Sequence, residues 1–430
     1  MERITIPNAA ELIISRLEEH GFEAYVVGGC VRDSIMGITP HDWDICTSAL
    51  PEQIIEVFSD LKVIPTGLKH GTVTVVVDDC EFEVTTYRID GEYKDNRHPA
   101  TVEFVQDLKL DLMRRDFTIN AMAYNDRQGI IDYFGGASDL KNGIIKCVGN
   151  PNDRFTEDAL RIMRAIRFAA RFRFEIEDDT RAAMLGHAKL LTNVSAERIN
   201  SELMKTLESM VLGTYLLEDL VRVLLPVIPE FDRFSWTELG SIIGRVSSCI
   251  MLPNLRLSLL LNFDNDEIEK VLRRLKVSND VLNDVLTTVK HGRMILDGKY
   301  YTAGSVYNIA IKESNKTYIM YGVKRLLHNV GFSAAVNAVA YAMAYDADYN
   351  VNENLNTFSS MLFNYSAFGC NVSKVSDMDI NGNDLIDIGF KGKEIGKTLN
   401  TLLDMVFREI IQNDKEQLLC AAKSIKEYLI

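Results

Sequence analysis

Between Tyr25 and Ala49 the chain reads YVVGGCVRDSIMGITPHDWDICTSA, a stretch that few folds can accommodate. Tyr25 to Val27 is a short apolar run of strand type. Gly28 and Gly29 end it, and their missing side chains let backbone amides approach a bound anion closely. Arg32 adds a permanent positive charge just inside the helix expected next. In HDWDI, a strand that turns Trp43 and Ile45 inward sends Asp42 and Asp44 out of the same face. Two carboxylates so placed suit Mg²⁺, a hard cation that takes one or two carboxylates together with the phosphates of a nucleotide. A lone glycine pair or a lone DxD also reads as a turn or a helix cap. Together they point at triphosphate chemistry.

GGCVRD followed by HDWDICTSALP resembles the head of the class II tRNA nucleotidyltransferases, a family that includes bacterial CCA-adding enzymes and poly(A) polymerases. The resemblance implies an α+β fold: a mixed-sheet nucleotidyltransferase head of the polymerase-beta type, followed by an all-helical neck, body and tail. The expected divisions are 1–148 for the catalytic head, 149–212 for a neck that reads the base, 213–345 for the body and 346–430 for a tail that binds tRNA.

TGLKHGTVTVVVDDCEFEVTTYR reads as two antiparallel strands turning at Asp78-Asp79, with Phe82 and Val84 alternating against Glu81, Glu83 and Thr85. Two-metal phosphoryl transfer calls for a third carboxylate, and by resemblance it is Glu83. RIDGEYKDNRHP is an exposed loop by composition. The resemblance makes it the loop needed to switch from adding C to adding A, with Asp90, Asp95 and Arg97 matching. DLMRRDFTINAMAYN could be a salt-bridged helix start, and the resemblance assigns Arg115 to the nucleotide's phosphates or ribose.

NPNDRFTEDALRIMRAIRFAARFRF is expected to form one helix capped near Thr156. Ala159, Ile162, Met163, Ile166, Ala169 and Ala170 share one face; Arg161, Arg164, Arg167 and Arg171 share the other. Such an arginine row also reads as a solvated face. Asp158 and Arg161 are neighbours on a helix surface at this spacing. A carboxylate only accepts hydrogen bonds and a guanidinium only donates them, so the pair can match the Watson–Crick edges of cytosine and adenine while rejecting guanine and uracil. The resemblance gives Glu157, Asp158 and Arg161 this role, and has Arg164 and Arg167 hold the nucleotide.

The chain carries a formal charge of −14, which argues against RNA binding over the whole surface and for a local contact. Seven cysteines without CxxC spacing suggest neither a zinc ribbon nor a disulfide framework. MERITIPNAAELIISRLEEHGF carries charges too early for the signal peptide expected of a secreted chain and reads as an amphipathic helix, and the apolar run from Phe332 to Tyr345 is too short to span a bilayer. A soluble, cytoplasmic protein is expected. In the helical half, Asn262-Phe263 stand in the place of a phosphohydrolase HD pair and His291 and His328 have no evident partners, so the segment reads as structural or RNA-supporting and not as a second metal site. Lys391, Lys393 and Lys397 read equally as a tRNA contact or a solvated surface. The reaction implied is addition of C, C and A to tRNA from CTP and ATP, with Mg²⁺ held by Asp42, Asp44 and Glu83. Rival readings are a poly(A) polymerase, a CC-adding enzyme, a catalytically idle tRNA-binding protein and a phosphohydrolase acting through the helical half.

Overall fold

The structure is a computed structural model that describes residues 3–91, 101–209, 213–300, 314–346, 353–367, 372 and 374–428. The chain forms two compact units, Met1–Ile243 and Gly244–Ile430. The second carries 21 lysines and arginines against 21 aspartates and glutamates, so the whole net charge of −14 falls on the first.

The first unit is built on a mixed seven-stranded sheet. Its strands are β1 (Ala24–Val27), β2 (Ile45–Thr47), β3 (Lys62–Gly67), β4 (Thr72–Val77), β5 (Cys80–Thr86), β8 (Met122–Asn125) and β9 (Gly129–Asp132), in the order β3-β4-β5-β2-β1-β8-β9. A separate pair joins β6 (Arg88–Asp90) to β7 (Val102–Phe104). All neighbours in the large sheet run antiparallel except β2 and β5, where Ile45 faces Val84 in parallel register.

The hairpin of β4 and β5 turns where the sequence predicts it. Asp78 and Asp79 both take positive φ, 50° and 61°, as a two-residue turn matched to strand twist requires. Phe82 and Val84 are buried while Glu81 and Glu83 are exposed. One face of the sheet packs through Tyr25, Val27, Cys46 and Ala123 on Leu108 and Leu112, which belong to helix α4 (Leu108–Met113). Helix α1 (Asn8–Glu19) buries Ala10, Ile13, Ile14 and Leu17. Two further helices of the first unit are α2 (Gly29–Ile35) and α3 (Pro51–Val57), and α5 (Gly136–Asn142) follows the sheet.

The single helix expected from Thr156 is instead two, α6 (Pro151–Glu157) and α7 (Leu160–Phe172). Asn150 caps the first by accepting from the Asn152 amide at 3.0 Å, with Pro151 at the first helical position. Thr156 is no cap; its hydroxyl donates to the Asn152 carbonyl one turn back. The apolar face of α7 is buried as its period requires and packs on α9 (Ala196–Leu207), which follows α8 (Asp178–Gly186).

Unit one closes with α10 (Thr214–Leu224), and the boundary falls inside α11 (Trp236–Ser248). The second unit is helical among its described residues, from α12 (Pro253–Leu260) to α19 (Lys415–Tyr428). Its histidines do have partners: His291 Nδ1 meets the Tyr300 hydroxyl, and His328 packs edge-on to Phe407 at 6.0 Å. Asn262 accepts from the Tyr345 hydroxyl at 2.6 Å. No helix of the described residues is long and apolar enough to cross a membrane.

Candidate nucleotide-binding site

Where α2 leaves the sheet and α7 runs past it, a cleft of about 440 Å³ opens. It is lined by Gly28, Gly29, Arg32, Asp44, Arg114, Arg115, Asp116, Asn120, Asp158, Arg161, Arg164, Arg167, Phe168 and Arg171. Two regions that the sequence singled out, more than a hundred residues apart, thus form one wall-and-floor arrangement. In a unit of strongly negative charge, seven arginines converge on it. Against them stand the carboxylates of Asp44, Asp116 and Asp158, so the lining is net positive and attracts anions.

Gly28 sits at the floor with φ 80° and ψ −121°, a backbone state open in practice only to glycine. A Cβ there would lie 2.9 Å from Arg115 Nη1. Its positive φ and this close approach together fix the residue type. Arg32 is 4% exposed. It donates from Nε to Asp33 at 2.8 Å and from Nη1 to the Asn120 side chain, and burial pushes its guanidinium pKa down.

Asp42 and Asp44 lie in extended chain just before β2, which begins only at Ile45; this corrects the expectation that they stand on the strand itself. The segment is still tied to the sheet, since the Asp44 carbonyl accepts from the Val27 amide at 2.9 Å. Glu83 projects from the exposed face of β5. Asp44 has solvent access, yet desolvation raises its carboxyl pKa, Arg115 opposes that, and the charges of Glu83 and Asp42 add to the rise. The three carboxylates are therefore neighbours in charge. Of them only Asp44 lines the cleft, and among the described residues no three such side chains close into a ready-made cage. A cation held jointly with phosphate oxygens and water needs no such cage, and oxygen-only carboxylate donors suit one.

Asp158 departs from helical geometry, with φ −132° and ψ 102°. This break corrects the helix-surface pairing of Asp158 with Arg161. Asp158 Oδ1 caps the Leu160 amide at 3.1 Å while Oδ2 accepts from Arg198 Nη2 at 3.1 Å. Arg161 turns instead to Glu157 at 2.7 Å and to the Arg114 carbonyl at 2.8 Å. Both side chains nevertheless line the same cleft.

Arg164 donates to Asp116, and Arg167 to Glu202 on α9. Arg161 and Arg167 are 8% and 9% exposed and Arg164 is half-buried, so the row is largely enclosed and only Arg171, at its end, is exposed. Asp90 closes β6, whereas Asp95 and Arg97 lie outside the described residues. Asp116, Asn120 and Phe168 were missed by sequence reasoning. Asp116 and Asn120 stand inside the RRDFTINAM segment, where an acid and an amide four apart on opposite sides of an apolar pair could have been noticed.

A model described as "Poly A polymerase head domain" matches residues 24–146. One for domain 2 of tRNA nucleotidyltransferases matches 255–422. One described as "Probable RNA and SrmB- binding site of polymerase A" matches 173–232. The chain is 38% identical over 429 residues to a CCA-adding enzyme of Ligilactobacillus salivarius, covering 96% of each. It is 35% identical over 426 residues to one of Limosilactobacillus fermentum, again covering 96% of each. A crystal structure of the Bacillus stearothermophilus CCA-adding enzyme in complex with CTP superposes with a TM-score of 0.73 at 26% identity, covering 99% of both chains.

Proposed function

This chain belongs to the CCA-adding enzymes of the tRNA nucleotidyltransferase family, and on that premise we propose which of its residues carry the reaction. The reaction is stepwise addition of C, C and A to the 3′ end of tRNA from CTP and ATP, releasing pyrophosphate without a nucleic-acid template. The observation that carries this reading is the cleft in which Asp44, Arg115 and the arginines of α7 meet around Gly28 and Gly29.

The family uses a divalent metal, and in this reading it is Mg²⁺, held by Asp42, Asp44 and Glu83. When bound it lowers the pKa of the attacking 3′-hydroxyl and offsets charge on the departing pyrophosphate. Gly28 and Gly29 leave room for phosphates against the backbone, and Arg32 and Arg115 bring compensating charge. Arg164 and Arg167 extend that charge along α7.

Asp158 and Arg161 present an acceptor and donors to the base. A cytosine or adenine edge offers an amino donor beside a ring-nitrogen acceptor and satisfies both. A guanine or uracil edge leaves buried groups unpaired, at about 1–3 kcal/mol each. Because Asp158 is drawn to Arg198 and Arg161 to Glu157, base binding exchanges these contacts rather than filling empty ones. Residues 1–148 serve as head, 149–212 as neck, 213–345 as body and 346–430 as tail in this reading, and the protein acts on tRNA in the cytoplasm.

Sequencing the 3′ ends of a tRNA lacking CCA, after incubation with the protein, Mg²⁺, CTP and ATP, tests the proposal. Termination after CCA is the expected result. A ladder of A would make the protein a poly(A) polymerase, a stop at CC a CC-adding enzyme, and no extension an idle tRNA-binding protein.

A further inference from the structure

Each of the seven guanidinium groups in the cleft has a carboxylate partner, but two of those partners are shared. Asp33 serves two guanidinium groups, with Arg32 Nη2 at 2.6 Å and Arg171 Nη2 at 3.7 Å. Arg32 and Arg167 are desolvated enough that burial pushes both pKa values down. Like charges crowded out of water repel, and a nucleotide needs them held apart with donors free.

The sequence RFAARF supplies a second kind of partner. Phe168 and Phe172, one helical turn apart on α7, stack with centroids 5.9 Å apart and planes within 5° of parallel. Around Phe168 the guanidinium carbons of Arg32, Arg164 and Arg167 lie 5.4, 5.1 and 4.1 Å from the ring centroid. Around Phe172, those of Arg32 and Arg171 lie at 4.8 and 5.1 Å. The electron-rich face of an aromatic ring attracts a cation without occupying its N–H donors. An ion pair does occupy them.

We propose that Phe168 and Phe172 are positioning residues, whose stacked rings hold Arg32, Arg164, Arg167 and Arg171 in the spacing that receives a nucleoside triphosphate. The inference rests on the cleft being the nucleotide site. Arg32 comes from α2 and the other three from α7, so the two rings also fix the helix that meets the phosphates against the helix that reads the base. Phe168 is 4% exposed and packs edge-on to Phe117 at 5.8 Å, which gives it a core role as well. Phe172 is half-buried and is the cleaner probe.

The test compares the full-length wild type with Phe172→Leu and Phe172→Tyr. CTP affinity is read by calorimetry, incorporation by KM and kcat, and folding by melting temperature. Leucine keeps the apolar bulk and removes the π face; tyrosine keeps both. The expected result is CTP Kd and KM raised about tenfold in Phe172→Leu, with kcat and melting temperature close to wild type and affinity restored in Phe172→Tyr. Wild-type Kd in Phe172→Leu would overturn the proposal. So would a loss of affinity that tyrosine fails to restore, or one that tracks a fall in melting temperature. Calorimetric binding separates this outcome from failure of the assigned activity: a wild type that binds CTP but extends no tRNA defeats the reading of the reaction, while the Kd comparison still decides the role of the rings.

Discussion

Arg164 grips Asp116 with two donors, Nε at 2.8 Å and Nη2 at 2.6 Å, joining α7 to the segment that follows α4. Burial opposes ionisation of Asp116. The charge of Arg164, a hydrogen bond from Asn120 and the charge of Arg161 outweigh it and hold the carboxyl at about 2. An unfolded aspartate titrates near about 3.9, so the folded value is depressed. The contribution to stability is then complete above about pH 4 and fades as pH falls toward 2, to a total of about 2 kcal/mol. Urea midpoints of wild type and Asp116→Asn between pH 7 and pH 2.5 check this. The gap between them should be constant down to about pH 4 and narrow below it; a gap independent of pH would contradict the assignment.

Gly28→Ala tests the floor of the cleft. The φ of 80° strains any L side chain, and the added carbon would press on Arg115 Nη1. Strain of this kind costs about 1–3 kcal/mol. We expect a lowered melting temperature together with a raised KM for both CTP and ATP, because Arg115 must move. A variant that is destabilised but keeps its KM would mean that Arg115 does not touch the nucleotide.

How much of this was legible beforehand depended on the range of the interactions. The turn at Asp78-Asp79, the inward alternation of Phe82 and Val84, and the buried stripe of α7 are set within a few residues, and the local pattern specified them. The break at Asp158 was hidden because an acid beside Glu157 suits a helix N-terminus in either arrangement; Asn150 and Pro151 were the signal that a helix starts earlier. The distant partners of the arginines could not be read. Arg32 meets Asn120 across 88 residues and Arg164 meets Asp116 across 48. Only the packing of α2 and α7 around the end of the sheet turns a row that reads as solvated into the wall of a cleft.

Removal of the carboxylates should separate chemistry from binding. Asp42→Asn removes one of the charges that help to raise the Asp44 pKa, and Asp44→Asn removes the Asp44 carboxylate itself. Neither should destabilise the fold, since Asp42 and Asp44 are exposed. Incorporation should fall by about a thousandfold or more, and chelation of Mg²⁺ in the wild type should match it. Retained incorporation in Asp44→Asn, measured by extension of a labelled tRNA, would remove the proposed metal role.

Base choice gives the sharpest test, because it probes a contact that the free protein spends on something else. Asp158 is bound to Arg198 and caps Leu160, while Arg161 is bound to Glu157. In Asp158→Ala the acceptor for the amino group of cytosine and adenine is gone, yet Arg161 can still donate to a carbonyl edge. Loss of one buried hydrogen bond of about 1–3 kcal/mol corresponds to about 5- to 150-fold in kcat/KM. We expect CTP and ATP to lose that factor while UTP and GTP do not, so that misincorporation appears in competition assays with all four nucleotides. Asp158→Asn should fall between, since an amide still offers a carbonyl acceptor. If CTP, ATP, UTP and GTP all weaken alike, Asp158 acts only as the hinge cap of α7, and the discrimination must come from another part of the cleft.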